Sequence, residues 1–168
     1  MDTRKMVQCS LFASLIAVCA WIAIPMPPIA FTLQTFGVLM ALGVLGGKWG
    51  TVSIFLYLCL GAVGLPVFAG FRGGVGALLD ATGGFLWGFL AGGLVYRAAE
   101  RLGKLPAFVL CQLTCYICGC FWFSYWAGGA GLWASILTCV VPYLLPDGLK
   151  LWLAFALAKK LNRQIALR

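Results

Sequence analysis

The stretch L-W-A-S-I-L-T-C-V-V-P-Y-L-L-P-D-G-L-K-L-W-L-A-F-A-L-A-K-K-L, from Leu132 to Leu161, decides the fold class. A helix needs about 20 apolar residues to cross a hydrocarbon core about 30 Å thick. As one straight helix, this run would rise about 45 Å, more than a crossing needs. Pro142 and Pro146 predict a break or kink inside it. Asp147 and Lys150 interrupt the apolar run and lie three apart, on one helical face. A charge near a bilayer centre costs about 2.5–3.5 kcal/mol, so such residues face an interior or a watery hollow. Counted back from Leu161 at about 1.5 Å per residue, Asp147 stands about 21 Å above that end. Pro146 suggests that a helix restarts just before the acid, leaving free N–H groups there. The pair reads either as part of a polar ligand site or as an ion pair tying helices together.

The rest of the chain agrees with a membrane origin. Hydrophobic residues make up 63% of the 168 and charged residues 10%, and mean hydropathy is +1.02. A water-facing surface needs roughly 25–35% charged residues. The apolar runs are unbroken rather than alternating, which favours helices over barrel strands. The expectation is an all-α integral membrane protein, a single transmembrane domain over residues 1–168. Its six spans fall at about 6–24, 33–46, 49–65, 83–98, 105–126 and 132–161. The first follows Arg4 and Lys5 and is read as a span, not a cleaved leader. There is no His, which removes Ser-His-Asp chemistry and His-ligated metal. Of the 8 cysteines, Cys111, Cys115, Cys118 and Cys120 cluster in span five. Without a second pair at loop spacing they read as small packing residues, so neither a metal nor a cofactor is expected.

The 12 basic residues orient the chain. With the N-terminus in the cytoplasm, Arg4, Lys5, Lys48, Arg97, Arg101, Lys104, Lys159, Lys160, Arg163 and Arg168 all lie inside. Only Arg72 lies outside, and Lys150 is within the membrane. This obeys the positive-inside rule and places both termini in the cytoplasm. The net charge of +8 is therefore assigned to membrane lipid and topology, not to nucleic acid.

Two outer loops hold the remaining chemistry. Pro25 to Phe36 offers Phe31, Thr32, Gln34 and Thr35, suited to gripping a neutral polar ring, although Thr32 could equally cap the next helix. Gly61 to Gly84 holds 8 of the 22 glycines, with Arg72, Asp80 and Thr82 among them. It reads as a lid over a pocket or as a plain connector. Trp21, Trp49, Trp122, Trp126 and Trp133 fall near span ends, as interfacial aromatics do. Trp87 and Trp152 lie deeper, to line a cavity or face lipid. Ala13 and Ala17 form a small-x-x-x-small face on span one, open to a helix of this chain or of a partner.

A-F-T-L-Q-T-F at 30–36, G-L-P-V-F-A-G-F at 64–71, T-G-G-F-L-W-G-F at 82–89 and the Asp147/Lys150 pair resemble the BioY family. That family comprises the biotin-specific S components of energy-coupling-factor (ECF) importers. The resemblance covers nearly the whole chain. It implies a compact six-helix bundle with an outward-facing biotin pocket closed by the first and third loops. It implies ligand roles for Phe31, Thr32, Gln34, Arg72, Asp80, Thr82, Asp147 and Lys150. Ala13 and Ala17 would meet the ECF transmembrane coupling protein, which works with two ATPase subunits. Two departures stand out: Asp80-Ala81-Thr82-Gly83-Gly84 where the family often has G-P-T-G-G, and Leu145-Pro146-Asp147 where it often has P-G-D. An S component for another vitamin and a self-sufficient small-solute carrier are the alternatives. A membrane enzyme is disfavoured by the missing His and the lack of a carboxylate cluster.

Overall fold

The computed structural model describes residues 3–25, 29–126 and 131–166. Helix α1 spans Thr3–Trp21, and a minimal hairpin follows, β1 (Ala23–Ile24) against β2 (Phe31–Thr32). The other helices are α2 (Gln34–Ala62), α3 (Val75–Leu79), α4 (Gly83–Ala99), α5 (Lys104–Trp126), α6 (Leu132–Cys139) and α7 (Leu144–Ala166). Single 3-10 turns occupy Ala69–Phe71, Glu100–Leu102 and Val141–Tyr143. Among the described residues, the helical segments Gln34–Ala62, Lys104–Trp126 and Leu132–Gln164 are long and apolar enough to cross a membrane.

The spans expected at 33–46 and 49–65 are two arms of α2. Gly46 breaks the element at φ 79°, ψ 168°, a conformation that only glycine adopts cheaply. The arms fold back on each other: a Cβ on Gly50 would lie 2.7 Å from the Leu42 Cα. Eight residues apart in a straight helix, these atoms would be about 12 Å apart. The orphan groups at the break are met from three other elements. The Gly47 N–H donates to Glu100 Oε2 at 3.1 Å. The Gly43 carbonyl accepts from Asn162 Nδ2 at 2.8 Å and from Lys104 Nζ at 3.4 Å. This end of the bundle, where α2 turns and α4 passes into α5, is the basic end.

Two seams of small residues bring the remaining helices together. Gly84, Gly88 and Gly92 form one face of α4, where added Cβ atoms would press on Trp122, Cys115 and Cys111 of α5. The cysteines fit this seam as small apolar side chains, and all eight are free thiols. On α1, Ala13, Ile16, Ala17 and Ala20 are buried, and a Cβ on Gly37 of α2 would lie 3.1 Å from the Ile16 Cα. Ala13 and Ala17, the small-residue face of α1, belong to this seam. They are 1% and 7% exposed, spent on an internal helix contact. Large apolar side chains point outward instead, among them Val7, Leu11, Phe121 and Leu145. Trp87 and Trp152 are exposed as well and do not line a cavity.

The last expected span, 132–161, is interrupted as its prolines require, but earlier than expected. Pro142 sits in the 3-10 turn, and α7 restarts at Leu144 rather than just before Asp147. Pro146 then occupies the first turn of α7, where a missing N–H leaves no hydrogen bond unmade. The first span likewise ends at Trp21 rather than residue 24, because β1 takes Ala23 and Ile24 into the hairpin.

The close packing of the α2 arms yields a test. Gly50→Leu is expected to destabilise the protein by about 1–3 kcal/mol through overpacking against backbone, read as a lowered Tm in detergent. Gly148→Ala, where a Cβ meets open space on α7, is expected to be neutral or stabilising by up to about 1 kcal/mol.

Candidate functional site

At the end opposite the basic one, the hairpin, the segment 66–82, α4, α5 and the α6–α7 junction enclose a hollow of about 100 Å³. One buried water needs roughly 10–15 Å³, so the space holds several waters or a small organic molecule. Phe68, Phe85, Leu86 and Phe89 give it apolar walls.

Its polar groups come from separate elements. Asp147 and Lys150 stand on α7, with Lys150 Nζ 2.7 Å from Asp147 Oδ1 and side chains only 7% and 9% exposed for lysine and aspartate. The acid is not held by the lysine alone. Tyr116 Oη donates to Asp147 Oδ2 at 2.7 Å and Gln112 Nε2 donates to it at 3.3 Å, both from α5. Lys150 also donates to the Thr32 carbonyl at 2.6 Å and lies over the Phe31 ring at 3.8 Å from its centre. The α7 pair therefore clasps strand β2. Tyr143, in the 3-10 turn, stacks on Phe31 and donates its hydroxyl to the Ile29 carbonyl. Burial of two charges costs several kcal/mol each unless every donor and acceptor is met. Here three donors meet the carboxylate, and a carboxylate, a carbonyl and an aromatic face meet the ammonium.

The glycine-rich segment is neither slack nor a bare loop. Phe68 is 2% exposed and seats over Gly61, where a Cβ would fall 2.0 Å from its ring. Four indole N–H groups hold the segment by its carbonyls: Trp21 on Pro66 at 2.8 Å, Trp87 on Leu78 at 3.2 Å, Trp126 on Leu79 at 2.9 Å and Trp122 on Asp80 at 2.9 Å. The last three carbonyls close the C-terminal turn of α3, where a helix leaves acceptors unmet. Phe71 takes the left-handed φ of 57° and stacks on Trp21 with ring centres 5.3 Å apart.

Of the residues singled out in the sequence, Phe31, Thr32, Gln34, Arg72, Thr82, Asp147 and Lys150 lie on the wall of the hollow. Asp80 does not. It pairs with Arg72 at 2.6 Å in a half-exposed bridge, while a second Arg72 nitrogen reaches Thr82 Oγ1 at 3.3 Å. Thr32 also serves the helix: its Oγ1 accepts from the Gln34 N–H at 3.3 Å. Gln112, Tyr116 and Tyr143 were missed. Gln112 and Tyr116 are polar, four apart and inside an apolar span, the same signal as Asp147 and Lys150 without the charge. Among the described residues no three Cys, Asp or Glu side chains converge as metal ligands.

The sequence model of the BioY family matches residues 1–167. The chain is 36% identical over 165 residues to a biotin transporter BioY of Thermotoga maritima, covering 95% of this chain and 96% of that one. It is 32% identical over 162 residues to a probable biotin transporter BioY of Pyrococcus horikoshii, covering 96% and 98%. The crystal structure of an S-component for biotin from an ECF-type ABC transporter superposes with a TM-score of 0.88 at 24% identity, covering 97% of this chain and 95% of that one. That likeness shows that the two chains share a fold.

The two ion pairs of the site should differ sharply in worth. Lys150→Met strands a buried carboxylate and is expected to cost about 3–5 kcal/mol of unfolding free energy. Arg72→Met, at an exposed pair, is expected to cost less than about 1 kcal/mol. Thermal or denaturant unfolding of the two variants in detergent checks the order.

Proposed function

The chain belongs to the BioY family, and from that premise we propose that it is the biotin-capturing S component of an ATP-driven ECF importer. The observation that carries this reading is the partly open hollow with a buried Asp147–Lys150 pair on its wall. Biotin is a neutral bicycle with a ureido group at one end and a carboxylate on an apolar tail. Such a ligand suits walls of phenylalanine and leucine interrupted by a few buried, oriented polar groups. Ionised side chains inside an apolar bundle characteristically mark a ligand or ion site, and this pair also ties the hairpin to α7.

The charge distribution supports the topology. Both arms of α2, α1, α4, α5 and the α6–α7 pair make six crossings. Lys48, Arg97, Arg101, Lys104, Lys159, Lys160 and Arg163 then gather at the basic end, while Arg72 and the buried Lys150 stand at the hollow. By the positive-inside rule the basic end and both termini are cytoplasmic, and the hollow faces outward in the cell membrane. Ligand capture is then extracellular and release is cytoplasmic.

Neither Gly47-Lys48 nor Gly103-Lys104 is followed by Ser or Thr, so the chain lacks a phosphate-cradling P-loop. ATP hydrolysis falls to two separate ATPase subunits, linked through a transmembrane coupling protein. The subunit itself performs no chemistry on biotin. Its work is binding and passage through the membrane.

Biotin is expected to raise the Tm of the purified protein in detergent, by mass action on the folded state, while other vitamins leave it unmoved. Asp147→Ala and Lys150→Ala are each expected to weaken biotin binding by at least about 2 kcal/mol, because the remaining partner stays buried and unpaired. Titration calorimetry reads this directly. Wild-type affinity in both variants would sink the site assignment.

A further inference from the structure

Gln34, in the first turn of α2, is 5% exposed and lies on the cavity wall. Its amide could in principle face either way, and the neighbouring groups decide. The Val67 carbonyl can only accept, and Tyr57 Oη stands 3.2 Å from it, so the phenol proton goes there. The phenol oxygen is then an acceptor for the group 2.8 Å away, which must be the Gln34 NH2. The reversed amide would set two oxygens against each other with no proton between them. With Nε2 committed to Tyr57, the Gln34 Oε1 is left on the cavity side. Among the described residues it accepts no hydrogen bond.

Most other polar groups of the wall are already engaged. Asp147 takes three donors, Lys150 is held by Asp147 and the Thr32 carbonyl, and Arg72 is held by Asp80, Thr82 and the Ala69 carbonyl. An open, oriented acceptor on such a wall selects for a ligand N–H. Tyr57 itself is fully buried and does not line the cavity. It stands behind Gln34, packed edge-on against Phe68 with ring centres 5.5 Å apart.

We propose that Tyr57 is a positioning residue that fixes the Gln34 carboxamide with its oxygen toward the cavity, where it accepts a ureido N–H of biotin. Tyr57 thereby sets selectivity for ligands that carry that donor, without touching them. The inference rests on the biotin reading above.

Tyr57→Phe keeps the ring on Phe68 and removes only the hydroxyl. Its affinity is measured by calorimetry for biotin and for the two mono-N-methylated biotins, each lacking one ureido N–H. The variant is expected to bind biotin about tenfold or more weakly. For the methylated ligand that lacks the relevant N–H, it should bind within about twofold of the wild type, since the lost contact is already absent. A merely structural tyrosine would weaken all three ligands equally or lower the Tm alone, and either result overturns the proposal. Gln34→Leu provides the same comparison should Tyr57→Phe fail to fold. A wild-type preference for biotin over both methylated ligands retained in Gln34→Leu overturns the proposal too. Failure of the wild type to bind biotin at all overturns the functional reading with it. Biotin binding with unmoved selectivity overturns the orientation alone.

Discussion

A carboxylate and an ammonium 2.7 Å apart, both almost wholly withdrawn from solvent, impose a demand that shapes this end of the molecule. In a low-dielectric interior, two such charges repay their desolvation only when geometry is good and the remaining lone pairs and protons are met. The chain meets them from three directions. Helix α5 supplies Tyr116 and Gln112, the hairpin supplies the Thr32 carbonyl, and Phe31 supplies its face. Removing any of these elements would leave a buried polar group without a partner. The pair therefore fixes where the hairpin, α5 and α7 stand relative to one another, and the hollow lies among them.

Close approach elsewhere makes that arrangement affordable in space. The Gly84/Gly88/Gly92 face lets α5 lie against α4, which brings Tyr116 within reach of α7. Gly61 opens the seat for Phe68, which in turn packs on Tyr57. The segment between α2 and α4 contributes few side chains to any core, yet its backbone is ordered by four indole donors. Indole is suited to this work: Trp21, Trp87 and Trp126 leave much of their apolar surface facing outward, while one N–H each reaches a backbone carbonyl.

Much of this was legible in residue order. Asp147 and Lys150 stood out because charge inside an apolar run has few explanations, the loop residues Phe31, Gln34 and Arg72 followed from where the breaks fell, and Thr82 came only with the family resemblance. What could not be read was three-dimensional pairing. Ala13 and Ala17 make a small-residue face whichever helix they meet, and only packing reveals that the partner is α2 of the same chain. Asp80 stood beside Thr82 in sequence, but Arg72 draws its carboxylate off the cavity wall. Gln112 and Tyr116 carry no charge, so a search for ionised residues passed over them. Trp21, Trp122 and Trp126, near span ends, looked like membrane anchors, and their N–H partners are carbonyls far away in sequence.

The same accounting says where ligand discrimination must reside. Lys150 has three protons: one goes to Asp147, one to the Thr32 carbonyl, and the third meets the Phe31 ring. Because it grips the hairpin through a backbone oxygen, the clasp is indifferent to the side chain at position 32. A ligand that drew Lys150 away from Thr32 would loosen the strand that closes the site, while one that settled on unspent atoms would leave it shut. A ligand shifts such a balance only by the difference in its affinity for the two arrangements. The unspent atoms are few: among the described residues the Gln34 and Gln112 amide oxygens and the Thr35 hydroxyl make no hydrogen bond. Binding that keeps the site closed must therefore be won at those groups and at the aromatic walls, with the ion pair as the frame that holds them in place.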